Sequence, residues 1–147
     1  MDLEKTNTPE RGKKKYPLHV GVNLVKSKGG TPKAVVDFLS AITGSRAVSL
    51  YNPHGTFEKD ELFKEVTYIP VRQDPFSRYF FIGNQREIEK FENEILPTVS
   101  VLFCHNLFRW HVQWVLRMHR EYGIPFYVVP HGSMDQFVFS YRRKVKE

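Results

Sequence analysis

The fold of this chain is decided by the stretch Ile124-Pro125-Phe126-Tyr127-Val128-Val129-Pro130-His131-Gly132. Its residues are apolar at nearly every position up to Pro130, which is typical of a strand buried on both faces of a parallel sheet. Open parallel sheets bind their ligands at the carboxyl ends of the strands. His131 lies at that end, and Gly132 lets the backbone turn or approach a ligand closely. The stretch therefore predicts a parallel sheet in which His131 faces a ligand cleft.

A second segment, from Val99 to Asn106, has the same layout, because an apolar run ends there in His105-Asn106. Between the two segments the spacing predicts a helix from Leu107 to Tyr122, with an apolar side that includes Tyr122. His111 also lies on that apolar side, where a hydrogen-bonded core histidine is commoner than a ligand-binding one. The helix and its flanking strands form an αβ repeat.

The amino-terminal part of the chain predicts one more βα unit. Leu18 to Leu24 reads as the first strand, and a basic loop with Gly29 and Gly30 follows it. Thr31 is expected to cap the next helix, with Pro32 at its first position. Free backbone N–H groups at such a helix start favour an anion such as phosphate. The alternative is an ordinary tight turn, because the loop matches neither of the common nucleotide-binding glycine motifs.

The middle of the chain is less regular. Ala47 to Tyr51 predicts the second strand, and Val66 to Val71 predicts a short one. Tyr79 to Ile82 is either another strand or a loop packed on the core. Asn84 to Glu87 is typical of a capping box ahead of a helix with one apolar stripe, which Pro97 ends. This alternation of strands and helices predicts an α/β, Rossmann-like three-layer αβα fold with a mainly parallel sheet.

Length, charge and cysteine content limit the class of protein. The 147 residues predict one domain, residues 17–147, behind a flexible basic leader, residues 1–16. The net charge of +6 suits an anionic partner. Nucleic acid is not the expected one, because no motif for it occurs. The single Cys104 fits a reducing compartment, and no apolar run approaches the roughly 20 residues of a membrane span. We expect a cytoplasmic protein, with peripheral contact at the inner face of an anionic membrane as the alternative.

Three polar features are predicted to meet at the carboxyl edge of the sheet, namely Gly29-Gly30, His105-Asn106 and Pro130-His131-Gly132. An anion-binding loop beside imidazoles suits a site that handles a phosphate leaving group or a hydroxylated substrate. No metal site and no cofactor are predicted, because the histidines lack the spacing of a metal motif. The basic end of the chain, with Arg142 and Lys144, is either a solvated helix end or a surface for an anionic acceptor or a lipid headgroup.

Three segments of the chain resemble family 4 of the retaining glycosyltransferases. Asn23 to Ile42 resembles the first βα unit of that family, and Phe103 to Asn106 resembles its histidine-ended strand. Gly123 to Asp135 closely matches the family's "giPyvvsPHGml" segment, with the basic cluster Arg142-Arg143-Lys144 behind it. The match covers about residues 18 to 146 in order.

The resemblance implies the amino-terminal, Rossmann-like half of an enzyme of the GT-B fold. Such an enzyme transfers a sugar from a nucleotide-sugar donor to a hydroxyl acceptor in glycan, polysaccharide or glycolipid synthesis, and this half mainly binds the acceptor. By this resemblance, Gly29 and Gly30 approach the donor's diphosphate, and His131 is a catalytic residue that contacts the sugar or the acceptor. The other residues assigned to donor-phosphate or acceptor binding are His105, Asn106, Gly132, Arg142 and Lys144.

The family's donor-binding half has no counterpart in these 147 residues, because no glutamate has a partner eight positions on, as the Glu-x7-Glu motif requires. We therefore expect a truncated frame, a fragment, or one subunit whose complementary carboxyl-terminal half is a separate chain. The chain alone is expected to have little or no transferase activity and to self-associate through an exposed sheet edge. The alternative function is a non-catalytic α/β module that binds a phosphorylated ligand or a partner protein.

Overall fold

The computed structural model of the chain describes residues 14–28, 30–51, 58–73, 81–82, 85–106 and 111–131. In chain order its elements are β1 (Tyr16–Val22), α1 (Gly30–Ala41), β2 (Arg46–Tyr51), β3 (Val66–Pro70), β4 (Arg72–Gln73), β5 (Phe81–Ile82), α2 (Gln85–Ile95), β6 (Val99–His105), α3 (His111–Tyr122) and β7 (Phe126–Val129). Short 3-10 turns lie at Lys26–Lys28, Lys59–Glu61 and Leu96–Thr98. The predicted α/β class is confirmed. Strand β1 begins one residue inside the predicted leader.

Five strands form one all-parallel sheet in the order β3-β2-β1-β6-β7, and β4 pairs with β5 in a separate antiparallel ribbon. The chain builds outward from β1 through β2 to β3, and then continues on the other side of β1 with β6 and β7. The strand order therefore reverses between β1 and β6. The carboxyl ends of these two strands form the topological switch point, which is where open sheets of this type bind ligands.

The two faces of the sheet carry separate cores, because successive residues of a strand point to opposite faces. Helices α2 and α3 cover one face, called the α2/α3 face, and α1 covers the other, called the α1 face. The α2/α3 face buries the larger core, with Leu18, Val20, Val48, Leu50, Ile69, Val71, Ile88, Phe91, Leu96, Val99, Leu102, Cys104, Trp114, Val115, Met118 and Ile124. The α1 face buries the smaller cluster of Leu24, Val35, Ala47 and Val66.

The helices follow their sequence signals with small differences. Helix α1 begins at Gly30, so Thr31 is already helical and does not cap it from outside. Pro97 lies in the 3-10 turn directly behind α2, where it ends the helix as predicted. Tyr122 was predicted to face the core from α3, but its side chain is 47% exposed. The prediction is wrong because the Tyr122 hydroxyl donates to Glu92 Oε2 of α2 at 3.4 Å, which leaves much of the residue in solvent. None of the described helices has the length and apolar content to cross a membrane.

Strand β7 is less buried than its apolar sequence predicts. Tyr127 is 63% exposed and Val128 is 37% exposed. Among the described residues β7 pairs with β6 alone, which makes it the edge strand of the described sheet. The prediction of a strand buried on both faces is therefore wrong for this segment. An edge strand has a neighbour on one side only, and its apolar side chains are covered correspondingly less.

Candidate functional site

Three residues with positive φ lie directly behind the strands at the switch point and next to it. Asn23 follows β1 with a φ of 50°, Asn106 follows β6 with a φ of 67°, and His131 comes two residues after β7 with a φ of 44°. Residues other than glycine seldom adopt this region, although asparagine and histidine do so more often than most. Strain of this kind concentrates at ligand-binding and active sites. The carboxyl edge of the sheet therefore has the backbone strain that is typical of a ligand-binding site.

The loop behind β1 is held in place by residues of β2 and β3. The Asn23 N–H donates to the Leu50 carbonyl at 3.0 Å, and the Leu24 N–H donates to Ser49 Oγ at 3.0 Å. The Tyr68 hydroxyl donates to the Leu24 carbonyl at 2.6 Å. Burial raises the pKa of Tyr68 above its ordinary value, so this phenol stays a hydrogen-bond donor to a higher pH. Because its backbone groups are bonded in this way, the loop forms a preorganised wall.

A cleft of about 290 Å³ opens at the switch point between this loop, the first turn of α1, the end of β6 and the start of α3. Its lining consists of Val22, Asn23, Leu24, Thr31, Pro32, His105, Asn106 and His111. The Asn23 Oδ1 atom is buried and has no hydrogen-bond partner within the described part of the chain. An unsatisfied buried acceptor costs roughly 1–3 kcal/mol, so a ligand that donates to Asn23 is favoured. The first N–H groups of α1 also lack partners within the helix, and they suit an anion.

A chain of three imidazoles has its middle member, His105, in the lining of this cleft. His105 Nε2 lies 2.8 Å from Nδ1 of His19, and His105 Nδ1 lies 2.7 Å from Nε2 of His131. His111 Nε2 donates to the backbone carbonyl of His105 at 2.7 Å. The structure thus brings together His105 and His131, as the sequence predicted. It also gives His111 the expected role of a buried, hydrogen-bonded residue.

No sequence motif identifies His19, the third member of this chain. His19 is 1% exposed, and its ring stacks against Phe38 at 5.5 Å and Phe103 at 4.9 Å between centroids. The one signal for it is a polar side chain inside an otherwise apolar central strand, because such a residue needs a buried partner. The partner is His105 on β6, and the parallel pairing of β1 with β6 brings the two within reach.

Burial keeps the imidazole chain uncharged at neutral pH. It lowers the pKa of His19 to about 4. It also lowers the pKa of His105 to about 3, with a further contribution from His19, His131 and His111. Burial shifts the pKa of His131 downward as well. Each neutral imidazole has one donor and one acceptor nitrogen, so both ring nitrogens of His105 are taken up by its two neighbours.

The other predicted site residues lie beside the cleft or outside the described ranges. Gly30 is exposed at the first turn of α1, next to the cleft residue Thr31, and a Cβ atom there would meet no atom within 4 Å. The space around Gly30 would therefore accommodate a larger residue, and packing does not require a glycine there. His131 is not part of the cleft lining and is linked to the cleft through His105. The remaining residues singled out in the sequence lie outside the described ranges, namely Gly29, Gly132, Arg142 and Lys144.

The described residues offer no metal centre, since no group of three or more His, Cys, Asp or Glu among them is placed to hold an ion. Cys104 is buried on the opposite, α2/α3 face, where burial raises the pKa of its thiol to about 12. Comparison of the chain with protein-family models, with curated proteins and with solved structures found no match. Inferences about function therefore start from the cleft itself.

Proposed function

We propose that the chain is the acceptor-side, Rossmann-like portion of a nucleotide-sugar-dependent glycosyltransferase and that the switch-point cleft holds the phosphates of the donor. The observation that carries the proposal is the cleft of about 290 Å³ between Asn23, the start of α1 and His105. It combines a helix N-terminus for an anion with a buried, unpartnered acceptor at Asn23 for a hydroxyl or N–H donor. The resemblance of three segments to family 4 glycosyltransferases supports the same assignment.

Each part of the cleft has a role in this function. The first turn of α1, with the Thr31 hydroxyl, binds the phosphate oxygens, and the net charge of +6 attracts the anionic donor. Asn23 accepts a hydrogen bond from a hydroxyl of the donor. A complementary half on a separate chain supplies the remaining donor contacts, and His131 lies near the hydroxyl acceptor. The buried Cys104 fits a reducing, cytoplasmic location.

Binding of nucleoside diphosphates to the purified chain tests the proposal. Isothermal titration calorimetry with UDP, GDP and their sugar conjugates should show saturable binding to the 147-residue protein. Asn23→Asp keeps the shape of the side chain and tolerates the positive φ, but it places a carboxylate beside the phosphates. We expect this variant to bind at least about tenfold more weakly, which corresponds to about 1.4 kcal/mol.

Asn93→Asp is the matched control, because it makes the same charge change at an exposed position of α2. Its affinity should equal that of the wild type. The proposal fails if no nucleoside diphosphate or nucleotide sugar binds at millimolar concentration. It also fails if both variants bind with the same affinity, since the site would then lie elsewhere.

A non-catalytic module that binds a phosphorylated ligand or a partner protein is the second candidate. It is favoured by the cleft lining, which contains no carboxylate among the described residues, and by the engagement of both ring nitrogens of His105. A glycosyltransferase portion should bind nucleotide sugars more tightly than sugar phosphates or inorganic pyrophosphate. Equal affinity for all of these ligands would favour the module.

A further inference from the structure

The imidazole chain has a direction. His19 and His105 are each 1% exposed, and burial keeps both neutral, so each ring donates one hydrogen bond and accepts one. In the outward arrangement, His19 Nδ1–H donates to His105 Nε2, and His105 Nδ1–H donates to His131 Nε2. In the inward arrangement, every donor and acceptor is exchanged. Only one arrangement can hold at a time, because His105 is shared by both bonds.

The buried end of the imidazole chain, at His19, decides between the two arrangements. His19 Nε2 is buried and has no hydrogen-bond partner within the described ranges, and its ring stacks against Phe38 and Phe103. The inward arrangement would place an N–H group at this atom, and a buried N–H without an acceptor is rarely tolerated. The outward arrangement leaves only an unused lone pair there. It therefore fits the surroundings of His19 better.

We propose that His19 and His105 are positioning residues that hold His131 in the tautomer with its proton on Nδ1, so that His131 offers a hydrogen-bond donor, and not a base, to an oxygen of the bound ligand. The identity of that oxygen, on a phosphate or a sugar, rests on the proposed function. The tautomer of His131 itself is a property of the protein without any ligand. His131 is thereby assigned to binding or orientation of the ligand, and removal of a proton from the acceptor is left to another group.

Protonation of His131 reverses the direction of both hydrogen bonds in the imidazole chain. A cationic His131 carries hydrogen on both nitrogens, so its Nε2–H has to donate to His105 Nδ1. His105 then donates to His19, and the unwanted N–H appears at His19 Nε2. The described groups that face the imidazole chain supply no compensating charge: Phe38 comes from α1, Phe103 and His105 come from β6, and His111 on α3 bonds the His105 carbonyl. Among the described residues, only other histidines shift the pKa of His105 electrostatically.

Nitrogen-15 NMR of the histidine side chains in the purified chain tests the proposal, because it reports which nitrogen carries the proton. At pH 7 we expect His131 to be protonated at Nδ1. His19→Asn places an amide about where His19 Nδ1 lies, and an amide can either donate to His105 Nε2 or accept from it. Residue 19 then no longer imposes a direction on the hydrogen bonds of the imidazole chain. The Nε2-protonated form of His131 should rise from a minor form to about half, and the pKa of His131 should rise.

His119→Asn is the matched control, because His119 bonds the Ile124 carbonyl at 2.8 Å and takes no part in the chain. It should leave the His131 spectrum unchanged. The proposal is overturned if wild-type His131 is protonated at Nε2, or if His19→Asn changes neither the tautomer nor the titration of His131. If His19→Asn does not fold, the wild-type spectrum decides alone.

A ligand-bound sample separates this inference from the proposed function. When a sugar conjugate of UDP or GDP binds, exchange of the His131 Nδ1 proton with water should become slower than in the free protein. Unchanged exchange in a protein that does bind the nucleotide sugar would overturn the contact between His131 and the ligand. Absence of nucleotide binding would overturn the proposed function, while the tautomer of the free chain would still test the positioning role.

Discussion

The two faces of the sheet use the same strands and bury opposite chemistry. On β6, Leu102 and Cys104 point into the large apolar core of the α2/α3 face. The residues next to them, Phe103 and His105, take part in the ring stacking and imidazole bonding of the α1 face. One strand thus serves a stabilising core on one side and a polar site on the other. The difference follows from the alternation of side chains along a strand.

The buried polar groups of the two faces also differ in how completely they are paired. On the α2/α3 face, the carboxylate of Glu92 is 4% exposed and is bonded by Trp114 Nε1 at 2.8 Å and by the guanidinium of Arg117. On the α1 face, the imidazole chain ends at His19 Nε2, which has no partner among the described residues. A closed network such as that of Glu92 indicates a structural role. The imidazole chain instead reaches the carboxyl edge of the parallel sheet through His105 and His131, which indicates a role toward a ligand.

The largest expected effect of this difference is the response of stability to acid. The unfolded chain protonates His19 and His105 near pH 6.5, whereas the folded chain does so only near about 4 and about 3. Below pH 6.5 the unfolded state therefore binds more protons, and the free energy of unfolding decreases as the pH falls. Each histidine adds up to about 1.4 kcal/mol per pH unit, so stability is retained above about pH 6.5 and is lost toward pH 4.

Urea unfolding between pH 7 and 4.5 measures this slope. His19→Asn removes one of the two groups, and the slope should decrease by about 1.4 kcal/mol per pH unit. His119→Asn leaves both buried imidazoles in place and should retain the slope that they cause. Parallel curves for the wild type and His19→Asn would contradict the neutral, buried state of the imidazole chain.

Truncation of neighbouring residues on β6 compares the two faces directly. Leu102→Ala empties a fully buried position of the α2/α3 face and should lower the free energy of unfolding by about 3 kcal/mol. Phe103→Ala removes a half-buried ring from the α1 face and should cost only about 1–2 kcal/mol. Urea titration of both variants at pH 7 gives the difference. Equal costs would mean that the α1 face contributes as much to stability as the α2/α3 face.

Much of the fold could be predicted from local patterns. The order of strands and helices follows from apolar runs and end signals such as Pro97. The exposure of Tyr127 could not be predicted in the same way. An apolar run shows that a strand can be buried, whereas its actual burial depends on which strands lie beside it. Since β6 and β7 both belong to apolar runs that end at a histidine, only the sheet order separates the edge strand from the inner one.

The site could be predicted only in part, because contacts between strands also depend on the order of the sheet. His105 and His131 each end an apolar run, so the parallel sheet brings them to one edge, where His105 Nδ1 lies 2.7 Å from His131 Nε2. His19 lies inside a strand and is 86 positions from His105 in sequence. No periodicity links the two residues, because their contact depends on the pairing of β1 with β6 across the switch point. The backbone turns at Asn23 and Asn106 were likewise visible only in the structure.

The smallest expected effect concerns the closed network of the α2/α3 face. Glu92→Gln keeps the size of the side chain and one carbonyl oxygen for Trp114, but it removes the charge that pairs with Arg117. Arg117 is 36% exposed and remains hydrated, so the cost should be about 1–2 kcal/mol and well below that of a buried, unpaired charge. Glu94→Gln makes the same charge change at an exposed position of α2 and should cost less than about 0.5 kcal/mol. Both changes leave the imidazole chain intact, so UDP or GDP affinity and the His131 tautomer should stay at wild-type values. A change in either would show that the two faces are coupled through the sheet.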